Sequence, residues 1–211
     1  MNTKILNISI AAALAASLGL AGCAADSTSA GGNTMPGMHG SSSSSPMAGM
    51  MPDANADHNQ ADIMFSQMMI PHHAQAVEMS EIILAKPDVP AEVTALATKI
   101  KAAQAPEIKT MQGWLDAWNQ PSGMMNSTTM PGHGMGGMVD SDGIDKLKSA
   151  QGTAAARLFL EQMIGHHDGA IDMAKQEIST GKYPATIQLS RDIVTSQEAE
   201  IVEMKALLAK L

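Results

Sequence analysis

Two His-His pairs stand in the chain, each inside the same run of residues. Phe65-Ser66-Gln67-Met68-Met69-Ile70-Pro71-His72-His73 continues to Ala76 and Met79, and Phe159-Leu160-Glu161-Gln162-Met163-Ile164-Gly165-His166-His167 continues to Ala170 and Met173. Seven of the fifteen positions are identical at a constant offset of 94. Imidazole nitrogen and thioether sulfur are intermediate and soft donors, a combination suited to Cu(I), Ag(I) or Cu(II). A His on an apolar helix face has a plainer use, as a hydrogen-bonded group that fixes packing register. Duplication would copy such a residue as faithfully as a ligand, so the pairs alone leave both readings open.

The remaining thioethers favour a metal. Of the 19 Met, ten lie in Gly-, Ser- and Pro-rich stretches: Met35, Met38, Met47, Met50, Met51, Met124, Met125, Met130, Met135 and Met138. Met fills irregular gaps in a core, which explains a Met stripe on a helix. It does not explain thioethers where there is no core to fill. Closely spaced sulfurs on such a chain can converge on one soft cation. Met35 and Met38 with His39, and Met130, Met135 and Met138 with His133, are therefore expected to collect metal. The expected ion is copper, with Cu(I) favoured and Cu(II) or Ag(I) as the other candidates.

Four amphipathic helices must position these residues. The segments after the His pairs also repeat, now at an offset of 93: Leu96, Ile100, Gln104, Glu107, Ile108, Met111 and Leu115 pair with Leu189, Ile193, Gln197, Glu200, Ile201, Met204 and Leu208. A helical hairpin has been duplicated, and two hairpins give an all-α fold of four helices. The first helix is expected from a cap at Asp57 to Lys86, before Pro87, and the second from Pro90 to Asn119. A short helix is expected over Ile144 to Ala150. The last two should run from Thr153 to Thr180, ending at Gly181, and from Pro184 to Leu211. Pro71 and Pro106 fall inside helices and are expected to kink them. Helical spacing puts Phe65, Met69, His72, Ala76 and Met79 on one stripe, and Phe159, Met163, His166, Ala170 and Met173 on its copy. Gln104, Glu107 and Met111, and Gln197, Glu200 and Met204, face inward on the partner helices. Burying these polar groups costs several kcal/mol unless each finds a partner, whether a hydrogen bond or an ion.

The ends of the chain speak to location. Lys4, then the apolar run Ile5 to Leu20, reads as an export signal, too short for a spanning helix of roughly 20 residues. Leu20-Ala21-Gly22-Cys23 resembles the lipobox of bacterial lipoproteins, which would make Cys23 the lipidated first residue. The expected organisation is a signal over 1–22, a Met-, Gly- and Ser-rich tether over 23–56 and a helical domain over 57–211. Its halves, 57–119 and 142–211, are joined by a Met/Gly-rich loop over 120–141. The location is then extracytoplasmic, in a periplasm or at a cell surface, anchored to a membrane by lipid. A net charge of −8 with 13 Lys+Arg argues against nucleic acid as partner. One Cys excludes an internal disulfide and a CxxC redox pair. No nucleophile motif and no phosphate-binding glycine loop is present.

The duplicated His-His runs and the Gln-x2-Glu-Ile-x2-Met segments at Gln104 and Gln197 resemble the bacterial family known as domain of unknown function 305, over about Asp57 to Leu211. The resemblance implies a ferritin-like four-helix bundle, often secreted or lipid-anchored, in proteins linked with copper handling. It brings no established enzymatic activity. By analogy His72, His73, His166 and His167 are the functional residues, with Met69, Met79, Met163 and Met173 beside them. Gln162 stands where the first half has Met68, so the halves differ as donors. A di-iron site needs Glu-x-x-His pairs, and none occurs. The expected function is capture of copper or silver, with a copper exporter or another envelope copper protein as the exchange partner. The alternatives are a metal-dependent oxidase and a structural envelope protein whose Met absorb oxidant.

Overall fold

The computed structural model describes residues 57–122 and 136–211. Cys23, the leader, the tether and most of the Met-rich loop lie outside the described residues. With them lie Met35, Met38, His39, Met130, His133 and Met135. The fold is all-α: α1 spans Gln60–Leu84, α2 Ala91–Ala117, α3 Ser141–Ser149, α4 Gly152–Thr180 and α5 Pro184–Leu208. No strand occurs among the described residues. No helix among them is long and apolar enough to cross a membrane.

Local chemistry sets the ends. The cap of α1 is Asn59, not Asp57, because Asn59 accepts from the Ala61 and Asp62 amides while the Asp62 carboxylate accepts from the Asn59 amide at 2.6 Å. That reciprocal closure satisfies donors the first turn would otherwise leave bare. α1 stops at Leu84, short of Lys86, with Ala85 as its C-cap. α2 starts directly after Pro90 and ends at Ala117, two residues before Asn119. α3 begins three residues earlier than the sequence suggests, since Asp140 caps it by accepting from the Gly143 amide at 2.7 Å. Gly181 follows α4, and Pro184 opens α5, as the sequence indicates. Both α1 and α2 continue as helix through Pro71 and Pro106.

Two hairpins result, α1 on α2 and α4 on α5. They join through α1 and α4, whereas α2 and α5 barely meet. α1 and α4 run antiparallel, since His72 lies against His166 at mid-length while Asn59, at the start of α1, donates to the carbonyl of Thr180, at the end of α4. Asp62 fastens this end further, accepting from the Tyr183 amide at 2.9 Å and from the Thr186 hydroxyl at 2.6 Å. α3 packs across α1 and α4 towards the other end. The apolar stripes fill two cores. One holds Met79, Leu96, Leu147, Phe159, Met163 and Met204, and the other Phe65, Met69, Met111, Leu115 and Ile193. Each fully buried side chain of this size contributes about 1.5–3 kcal/mol. With so few aromatics, Leu, Met and Ile supply most of the bulk.

Candidate metal centre

Adjacent residues on a helix point about 100° apart, so the two members of each His pair meet different neighbours. His72 and His166 face one another across the α1/α4 seam, ring centroids 3.8 Å apart and planes 38° apart. Both are at most 1% exposed. The Nε2 of His72 lies 3.1 Å from the carbonyl of Gly136. A carbonyl can only accept, so Nε2 carries the proton and Nδ1 keeps its lone pair. That Nδ1 has no partner, and neither ring nitrogen of His166 completes a hydrogen bond, the His72 backbone approaching the ring without good geometry. Burial pushes His72 down to about 4, although the Gly136 carbonyl favours its charged form. Burial also drives His166 down to about 2, with the neighbouring imidazoles adding to the shift and the His72 backbone opposing it slightly. At neutral pH both rings are uncharged and hold lone pairs that the protein leaves unused.

His73 and His167 turn towards the partner helix of their own hairpin. The Nε2–H of His73 donates to Glu107 at 2.7 Å, and that of His167 donates to Glu200 at 2.8 Å. Both Nδ1 atoms lack a partner. A carboxylate holding one imidazole nitrogen while the other faces inward is the arrangement that orients metal-ligating His. It is also the plain structural network considered from the sequence, and for these two rings that network exists. It does not extend to the glutamines: both amide atoms of Gln104 and Oε1 of Gln197 are buried without partners. Each such group costs about 1–3 kcal/mol, so the middle of this fold is held at a standing expense in stability.

Among the described residues, no three His, Cys, Asp or Glu side chains converge into a ready-made cage. The other candidate donors near the His pairs are thioethers. Met69 and Met163, fully buried, precede the His pairs by three and four positions and are their neighbours on the helix surface. Met111 packs in the core with Met69, and Met204 in the core with Met163. Met79 and Met173 lie seven residues beyond His72 and His166, about 10 Å along the helix. Met79 is fully buried, whereas Met173 is half-buried on the wall of a cavity.

Residue spacing does not reveal what covers the His72–His166 pair. The end of the Met-rich loop, Gly136 to Val139, is laid across it. Gln75 clamps this segment, donating to the Val139 carbonyl and accepting from the Val139 amide, each at 2.8 Å. Gly137 takes a φ of +81°, and a Cβ there would strike the Gly165 carbonyl. A Cβ on Gly169 would strike Gly136 just as badly. The only signal available was the presence of these glycines. The clamp brings half-buried Met138 to the neighbourhood of the centre.

Comparison with known proteins gives a consistent picture. The sequence profile described as "Domain of unknown function (DUF305)" matches residues 62–208. A DUF305 protein of Streptomyces coelicolor, described as secreted, is 38% identical, with a TM-score of 0.67 over 71% of this chain and 93% of that one. A DUF305 fragment from Deinococcus radiodurans is 31% identical, with a TM-score of 0.64 over 72% of this chain and 98% of that one. CopM in its Cu(I)-bound form is 33% identical, with a TM-score of 0.61 over 72% of this chain and 98% of that one. The same protein has also been solved with Cu(II) and with Ag. The uncharacterized protein L153 of Acanthamoeba polyphaga mimivirus is 44% identical over 50 residues, so the chain spans 33% of that relative.

Proposed function

The chain belongs to the DUF305 family, and from that premise we propose that it captures copper or silver ions outside the cytoplasm. One observation carries this reading: His72 and His166 are buried, in ring contact and uncharged, with three ring nitrogens unpartnered. The ring contact offsets only part of the cost of burying unpartnered nitrogens, whereas a soft cation would use the lone pairs. His72 Nδ1 and a nitrogen of His166 are the first donors, with Met69 and Met163 one turn away. His73 and His167, held by Glu107 and Glu200, present Nδ1 as further donors. The copper and silver forms of CopM, at 33–36% identity, support the class of ion.

In this reading the linker thioethers collect the ion and the helical core retains it. Met35, Met38 and His39 in the tether, and Met130, His133, Met135 and Met138 in the loop, supply the collecting donors. Cys23 carries the lipid that fixes the chain to a membrane, and the secreted relative supports an extracytoplasmic location. A copper exporter or another envelope copper protein is the exchange partner. An anaerobic Cu(I) titration against a coloured chelator tests the reading. The intact chain should outcompete the chelator, and His72→Leu/His166→Leu should lose the tightest equivalent. Equal binding by both would move the metal chemistry to the linkers and leave the His pairs as structure.

A further inference from the structure

The duplication makes α1 and α4 nearly symmetric, yet the two ends of their seam are treated differently. At one end α3 closes the groove. Its Ile144 and Leu147 join Met79 and Ile83 in the core, and Gln162 donates to the Gly143 carbonyl at 2.9 Å. The equivalent groove at the other end has no such cover among the described residues and remains a cavity of about 320 Å³. Met64, Met68 and Met173 line it, with Glu177 beside them. At an offset of 94 their counterparts are Leu158, Gln162, Met79 and Ile83. The uncovered end thus has three thioethers and a carboxyl where the covered end has one thioether and none.

We propose that this cavity is a second soft-cation site, built on the sulfurs of Met64, Met68 and Met173 and separate from the His centre. The inference rests on the proposed capture of copper or silver and adds where a further ion is held. Gap-filling does not account for these residues, because the gap is not filled. Three thioethers around one space suit Cu(I) or Ag(I) and disfavour hard cations. Unbranched Met side chains, with three rotatable bonds each, can bring their sulfurs together on an ion. Glu177 adds a buried oxygen donor on the same wall: it is 2% exposed, and Thr186 engages its Oε1 while its Oε2 has no hydrogen-bond partner. Met64 and Met173 are only half-buried, so the cavity opens to solvent. Its volume exceeds that of an ion, which leaves room for an incoming donor and makes the site exchangeable.

The test uses the intact chain with its Met methyl groups labelled with carbon-13 and titrated with Ag(I), which is redox-inert. The methyl signals of Met64, Met68 and Met173 should move together, and Met64→Leu/Met68→Leu/Met173→Leu should bind one equivalent less in equilibrium dialysis. Leu conserves volume, so the thermal midpoint of the variant should stay within a few degrees. If those three methyls stay still while other Met methyls move, or the variant binds as much Ag(I), this site is refuted and the broader reading stands. If the intact chain takes up no Ag(I), both fall together.

Discussion

Replacing His166 with Leu should make the metal-free protein more stable. His166 is 1% exposed, and both of its ring nitrogens lack partners. Each buried unsatisfied polar group costs about 1–3 kcal/mol, so removing two relieves about 2–6 kcal/mol. Leu gives up the contact with the His72 ring, a loss of about 0.5–1.5 kcal/mol. The net expectation is a gain of about 1–3 kcal/mol after modest repacking losses. In a chain of this size each kcal/mol moves the midpoint by about 2–4 °C, so Tm should rise by at least about 2 °C. Urea unfolding and calorimetry, both with a chelator present, measure the effect. With Cu(I) at a thousandfold excess over Kd the ranking should reverse, because wild type then gains about 4.1 kcal/mol that the variant cannot. A metal-free variant less stable than wild type by about 1 kcal/mol or more would overturn this expectation. It would mean that the His166 ring is satisfied in the fold and is not held for a ligand.

Other consequences are as direct. Glu200→Ala should cost about 1–3 kcal/mol by leaving buried His167 unpartnered, and Glu107→Ala less, because Glu107 is 22% exposed and water can replace it; paired urea titrations give the ranking. Burial, with Asp62 adjacent, raises Glu177 to about 7 from 4.5, so its contribution is full below its ordinary value and is lost as pH rises through about 7. At about 1.4 kcal/mol per pH unit this amounts to roughly 3 kcal/mol at most, and Glu177→Gln should remove that slope from the stability profile between pH 5 and about 8. The lowered values of His72 and His166 act in the opposite sense, their contribution falling away as pH drops below 6.5, so the Gln variant should show a net loss towards acid. Gly169→Ala should displace the Gly136 to Val139 segment and cost about 1–3 kcal/mol, read as faster amide exchange at Val139.

Much of the fold was legible because its signals are local. The repeated stripe from Phe65 to Met79 marks a buried helix face, and Gly181 and Pro184 separate α4 from α5 with little room for error. Asp57 and Asn59 are both capable caps, and only the reciprocal bond with Asp62 selects Asn59. The pairing of His73 with Glu107 was within reach of the sequence, since both lie on the inward faces of one hairpin. The contact of the His72 ring with that of His166 was not, because it depends on α1 and α4 being the helices that join the hairpins. Met173 looked like the copy of Met79 and the two have different surroundings, since α3 covers only one end of the seam. The clamp over the His pair depends on backbone approaching backbone at Gly137 and Gly169, which side-chain periodicity does not encode.

Capture of copper or silver in the fold requires that the His72–His166 pair take a soft ion. Nitrogen-15 spectra of the imidazole rings, recorded on the intact chain during an anaerobic Ag(I) titration, address it most directly. The signals of His72 Nδ1 and of one His166 nitrogen should move first, with silver–nitrogen coupling on both. Ring signals that stay fixed while the Met methyls shift would contradict it and make the buried His pairs a structural device alone.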